Sequence, residues 1–131
     1  MKNFLFILSI VLFMAGCAKG VTSTNTTYPD AFQKEWVHSY EESSGNVEIY
    51  RPADYKDFTP SMFRQVYHFK ANGQCEYLVL HPADAHYMAK GTWSYWEDTR
   101  HLRILNEKGE QVVLFEVLEV AKDILKLQIV R

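Results

Sequence analysis

The chain has 131 residues with 14 basic and 16 acidic side chains, and its two cysteines allow neither a disulfide framework nor a cysteine-rich metal knot. No basic stripe appears, so the electrostatic footprint of a nucleic-acid partner is missing. The 3 Trp, 8 Tyr and 8 Phe suit a packed β-protein and not a disordered one.

The amino terminus has the order of a secretory signal: Lys2 as the positive residue, an apolar run from Phe4 to Met14, then the small residues Ala15 and Gly16. The run is shorter than the roughly 20 apolar residues that span a bilayer. Met14-Ala15-Gly16-Cys17 resembles the lipobox of bacterial lipoproteins, with Met14 in a slot that favours Leu. The resemblance implies cleavage before Cys17, a diacylglyceryl thioether on its thiol and acylation of the new amino terminus. An ordinary secretory signal ending near a cysteine is the alternative. Two or three acyl chains hold a protein firmly, because each buried CH₂ contributes about 0.8 kcal/mol. Ala18 stands where an Asp would favour retention in the inner membrane of an enterobacterium. The expected partner is therefore a membrane, through the acyl chains on Cys17, and the expected location is the cell envelope at the outer membrane. The expected organisation is a signal peptide over 1–16, the lipidated cysteine and a tether over 17–34, and a barrel domain over 35–131.

Residues 18–30 are rich in Thr, Ser and Asn without an apolar period, which reads as a flexible tether. A short helical turn is expected over Asp30 to Lys34, with Pro29 before it and Asp30 as a cap. Eight β-rich runs follow: Trp36 to Tyr40, Val47 to Arg51, Met62 to Lys70, Cys75 to Leu80, Tyr87 to Trp96, His101 to Asn106, Gln111 to Val120 and Ile124 to Val130. Asn72-Gly73 predicts a two-residue hairpin turn, because both residues tolerate positive φ. Leu125, Leu127 and Ile129 alternate with Lys126 and Gln128, and His101 to Ile104 alternate in the same way. Gln111 to Val120 is apolar on both faces in places, which predicts a bulge or two-sided burial. Short links make neighbouring strands pair antiparallel. The expected fold is all-β, an eight-stranded antiparallel up-and-down barrel, in preference to a two-sheet sandwich.

From Trp36 to Arg131 the chain resembles the lipocalin-like domains of small bacterial lipoproteins. The resemblance rests on Trp36, Phe69-Lys70-Ala71-Asn72-Gly73, Gly91-Thr92-Trp93, Leu102-Arg103-Ile104, Phe115-Glu116-Val117-Leu118 and Leu125-Lys126-Leu127. Lys34-Glu35-Trp36 lacks the Gly of the G-x-W signature that opens lipocalins proper. The resemblance implies a cup-shaped barrel with room for a ligand, and it carries over no particular ligand.

His81-Pro82-Ala83-Asp84-Ala85-His86 is the segment richest in chemistry. His81, Asp84 and His86 suit a divalent metal, while Pro82 and Asp84 also read as ordinary turn formers. His68 and His101 join such a set only if the fold brings them close. No G-x-S-x-G, Walker or G-x-G-x-x-G motif is present, and no enzyme or cofactor is expected. Glu41-Glu42 and Glu97-Asp98 read as solvated charges in turns, and Cys75 as a buried thiol. Alternation puts Tyr87, Trp93 and Tyr95 on one face and Trp96 on the other. With Trp36, the first three are candidates to line an apolar ligand, and core packing is their other role. Tyr50-Arg51-Pro52 and Tyr55 are expected at the same mouth. Two functions remain open. One is a lipid-anchored barrel binding a small apolar or amphipathic ligand. The other is a packed barrel that meets envelope protein or glycan partners through its surface. The interior discriminates them, since ligand pockets run to about 300 Å³ or more.

Overall fold

A computed structural model describes residues 26–60, 63–80 and 86–131. Cys17, its leader, His81 and Asp84 lie outside the described residues. The elements in chain order are β1 (Thr26–Thr27), a 3-10 helix (Asp30–Phe32), β2 (Glu35–His38), β3 (Val47–Pro52), β4 (Val66–Phe69), β5 (Gln74–Leu80), β6 (His86–Trp96), β7 (His101–Asn106), β8 (Gln111–Val120) and β9 (Leu125–Ile129). Strands β2 to β9 close into an eight-stranded antiparallel barrel in the order β2-β3-β9-β8-β7-β6-β5-β4 and back to β2. Strand β1 adds to β6 at Trp96 and Tyr95, beyond the point where β5 leaves it at Thr92.

The closed antiparallel barrel is the expected architecture, with one departure from a plain meander. From β4 to β9 each strand pairs with the next. Strands β3 and β4, however, lie on opposite sides of β2, and β3 pairs instead with β9. Both are antiparallel to β2, so they run in the same direction. The chain from Ala53 to Gln65 must then travel back along the barrel, and such crossovers need a dozen or more residues. They are available because β4 begins at Val66, later than the Met62 start that apolar content suggests. Arg64 and Gln65 of the crossover bond the end of β2 at His38; Trp36 points inward and is fully buried, and Val37, on the opposite face, is still only 8% exposed.

Local chemistry explains most of the remaining geometry. The Lys70–Gln74 turn has three residues rather than two. Lys70 N–H donates to the Gln74 carbonyl, and Gly73 alone has positive φ, at 79°. This is the three-residue hairpin that ends in a left-handed glycine. Asn106–Glu110 repeats it with Gly109, also at 79°. The expected irregularity in β8 is a register shift between Val117 and Glu119, and β8 has a second where Val113 and Gln111 face Ile104 and Leu105 of β7 and leave Val112 unpaired in that ladder. Beside that second shift a Cβ on Gly91 would run into the Leu105 carbonyl oxygen, so β6 needs glycine there to bend across the barrel wall.

The core is the barrel interior. Alternate residues of each barrel strand, β2 to β9, supply it, among them Trp36, Tyr50, Phe69, Trp93, Leu102, Ile104, Phe115, Val117, Leu125 and Leu127. One end is sealed by the segment before β2, part of which was expected to be tether. Phe32 inserts fully buried against Trp93 and Tyr95, with ring centroids 5.7 and 4.8 Å away. The Trp36 indole N–H donates to the Phe32 carbonyl at 3.0 Å, and Tyr28 packs edge-on to Trp93.

Candidate functional site: the open end of the barrel

The opposite end carries the β5–β6 and β7–β8 connections. Because β7 pairs with β6 only from Gly91 onward, the β5–β6 hairpin projects past the β7–β8 turn. Between them lies a cleft of about 500 Å³, lined by Tyr77, Tyr87, Met88, Ala89, Lys90 and the Asn106–Lys108 turn. Tyr77 and Ala89 face each other across the β5–β6 ladder, as do Val79 and Tyr87. A second cleft of about 630 Å³ shares Lys90, Asn106 and Glu107 and runs from there along the outer face of β5 and β6 toward the other end, past Glu76, Thr92, Gln74 and Lys70. Exposed apolar side chains gather at this rim: Leu80 at 52%, Tyr87 at 50% and Met88 at 38%.

Just inside, the barrel carries polar groups. Glu48 and Tyr50 share a face of β3, and the Tyr50 hydroxyl donates to the Glu48 carboxylate at 2.7 Å. His38 stacks on Tyr50 at 4.9 Å and Tyr67 tilts against it at 5.5 Å. Burial raises the pKa of both phenols, so Tyr50 and Tyr67 stay neutral and serve as hydrogen-bonding groups, not as bases. Burial lowers the pKa of His38, against the opposing pull of Glu48. The Ser43 hydroxyl donates to the Ser39 carbonyl and lies 3.1 Å from His38 Nε2, and it also accepts from Ile49 N–H. Its single hydrogen is thus committed, which assigns the neutral proton of His38 to Nε2. Burial pushes the Cys75 thiol up to about 12, so it is no thiolate nucleophile.

The Glu41-Glu42 pair has a structural role beyond solvated charge. Arg64 grips Glu41 through two nitrogens at 2.7 and 3.0 Å, and Arg51 grips Glu42 at 2.7 and 3.0 Å. These forks hold both carboxyls down to about 2. Arg64 also stacks on Tyr40 and donates to the His38 carbonyl, tying the crossover to the end of β2.

Of the four residues expected to line a ligand, only Tyr87 borders these clefts. Trp36 and Trp93 are packed in the sealed end with Tyr95, which is 8% exposed. The Trp93 indole N–H is held by the Lys70 carbonyl at 2.9 Å. Arg51 and Tyr55 stack on one another at 4.5 Å where β3 leaves the sealed end, away from Tyr87. Of the metal candidates, His86 stands at the rim beside Phe63. His68 and His101 are not gathered there: His68 is on the outer face near Glu76, and His101 pairs with Trp96 at the sealed end. Among the described residues no group of three metal-ligating side chains forms. The interior Glu48 and the neighbouring His38 were missed, although period-2 counting from Tyr50 puts Glu48 on its face. Comparison with known proteins finds no matching family model, no matching curated protein and no matching solved structure.

Proposed function

We propose that this protein is a lipid-anchored component of a bacterial cell envelope that works by binding at the open rim of a packed lipocalin-like barrel, without catalysis. The observation that carries the reading is the filled interior. Trp36, Tyr50, Phe69, Trp93 and Phe115 are each at most 1% exposed, and the described clefts open outside this core. An eight-stranded barrel can be filled by its own side chains, and its partners then meet its rim or outer surface. The rim's exposed Leu80, Tyr87 and Met88 suit a protein partner. Lipid on Cys17 supplies the anchor, and the polar run after it gives the domain reach from the outer membrane.

A second reading has its own support. The cleft at Tyr77 and Tyr87 combines aromatic walls with Lys90, Asn106 and Lys108, a mixture that suits a small amphipathic ligand bound at the mouth. Native mass spectrometry of protein purified from its own envelope separates the two readings. An acylated chain with no retained small molecule is expected, and a stoichiometric small ligand favours the second. Cys17→Ser should abolish partition into detergent; unchanged partition would remove the lipoprotein reading.

A further inference from the structure

We infer that the stretch of β6 around Met88 and Lys90 is a docking edge for an extended polypeptide segment of a partner protein, which joins the barrel as an added strand. The inference rests on the reading that the protein works through its rim. Strand β6 has eleven residues and two edges. On one edge β5 covers His86 to Thr92, and β1 covers Tyr95 and Trp96. On the other edge β7 covers only Gly91 to Trp96. The Trp93 N–H donates to Gly73 on the β5 side. Backbone groups alternate sides along a strand, so the N–H and C=O groups of Met88 and Lys90 point to the β7 side. Among the described residues no backbone partner meets the Met88 N–H and C=O or the Lys90 N–H there, while the Lys90 C=O faces Glu107 N–H beside the Gly91–Asn106 pair. A sheet edge of this kind is a template for pairing.

Two clefts lie beside the edge. The two clefts flank β6 and both include Lys90, Asn106 and Glu107, so a segment laid between β6 and the β7–β8 turn occupies both. Its side chains then alternate between two walls. One wall is aromatic and apolar, with Tyr77 and Ala89, and the other is charged, with Glu76 and Lys90. An extended chain of alternating apolar and polar residues fits this division. The protein already completes β6 in this way, because Thr26–Thr27 is an extended segment added where β5 ends. The five residues from His86 to Lys90 offer about 16 Å of edge at strand rise.

The edge and the fold can be tested separately. Proline at 88 or 90 removes an N–H that faces the open side and leaves the β5 ladder intact, a position where strands tolerate it. The test titrates the full chain with a synthetic heptapeptide alternating threonine and valine, followed by backbone amide NMR and fluorescence anisotropy. The Met88 and Lys90 amides should shift and gain exchange protection. Met88→Pro and Lys90→Pro should keep the melting temperature within a few degrees and weaken binding at least tenfold, and peptide N-methylated at alternate amides should not bind. Unmoved Met88 and Lys90 amides, undiminished binding by Lys90→Pro, or self-association of the chain through this edge would each overturn the inference. Peptide bound elsewhere on the rim sinks the edge alone. A stoichiometric small ligand retained from the envelope sinks the rim reading beneath it.

Discussion

The two ends of the barrel use similar side chains to opposite effect. At the sealed end the aromatic residues Phe32, Trp36, Trp93 and Tyr95 are drawn together by a chain segment that folds back across the opening, and both indole N–H groups find backbone carbonyls. At the open end Tyr87 stands half exposed beside a gap, and no described segment folds over it as Phe32 does over the sealed end, while Tyr77 on the neighbouring strand is buried in the core. An aromatic ring buried with its polar atom satisfied contributes to stability. A ring left half exposed at the rim contributes less to stability. Identity of the residue decides neither outcome. The presence or absence of a covering segment does.

That contrast predicts a graded response to mutation. Trp93→Ala should cost the most, about 3–5 kcal/mol, because it empties a packed site and orphans a hydrogen-bond acceptor. Denaturant unfolding would measure it, and a cost below ~1 kcal/mol would mean that the sealed end is not packed as described. Gly91→Ala should cost about 1–3 kcal/mol by forcing β6 off the Leu105 carbonyl, and calorimetric melting would register it. A neutral Gly91→Ala would show that the bend of β6 is relaxed.

Smaller effects belong to the open end. The pKa of His38 is lowered from 6.5 by burial, so the unfolded chain binds the proton more readily. Stability should be full above pH 6.5 and should fall as pH drops below it. His38→Gln should flatten that slope in urea titrations between pH 7 and 5. Glu42, held down to about 2 by Arg51, adds stability above 4.5 that is lost as pH falls toward 2. Solvent screening keeps this second contribution small. Smallest of all, Tyr87→Ala should change stability by no more than about 0.5 kcal/mol, since the ring is half exposed. A large loss there would place Tyr87 in the core and erase the contrast between the ends.

What could be read in advance follows from the range of each interaction. Strands β7 and β8 match their expected bounds, and Leu102, Ile104, Leu125 and Leu127 face inward as alternation requires. The irregularity in β8 was legible because apolar residues fall on both faces of that run. The crossover between β3 and β4 was not, because pairing across β2 leaves no local signature. Phe32 as a plug was hidden for the same reason: its partners Trp93 and Tyr95 are some sixty residues away and meet it only once the barrel closes. Tyr87, Trp93 and Tyr95 do share one face, as alternation implies. Their division between two ends follows from the length of β6, which carries its first residues beyond β7.

Residue-resolved hydrogen exchange tests the central claim most directly, because it reads both ends in one experiment. The account predicts that the indole N–H groups of Trp36 and Trp93 exchange only through global unfolding, while the backbone amides of Met88 and Lys90 exchange without protection. Fast indole exchange at Trp36 and Trp93, or protected amides at Met88 and Lys90 in the free protein, would contradict it.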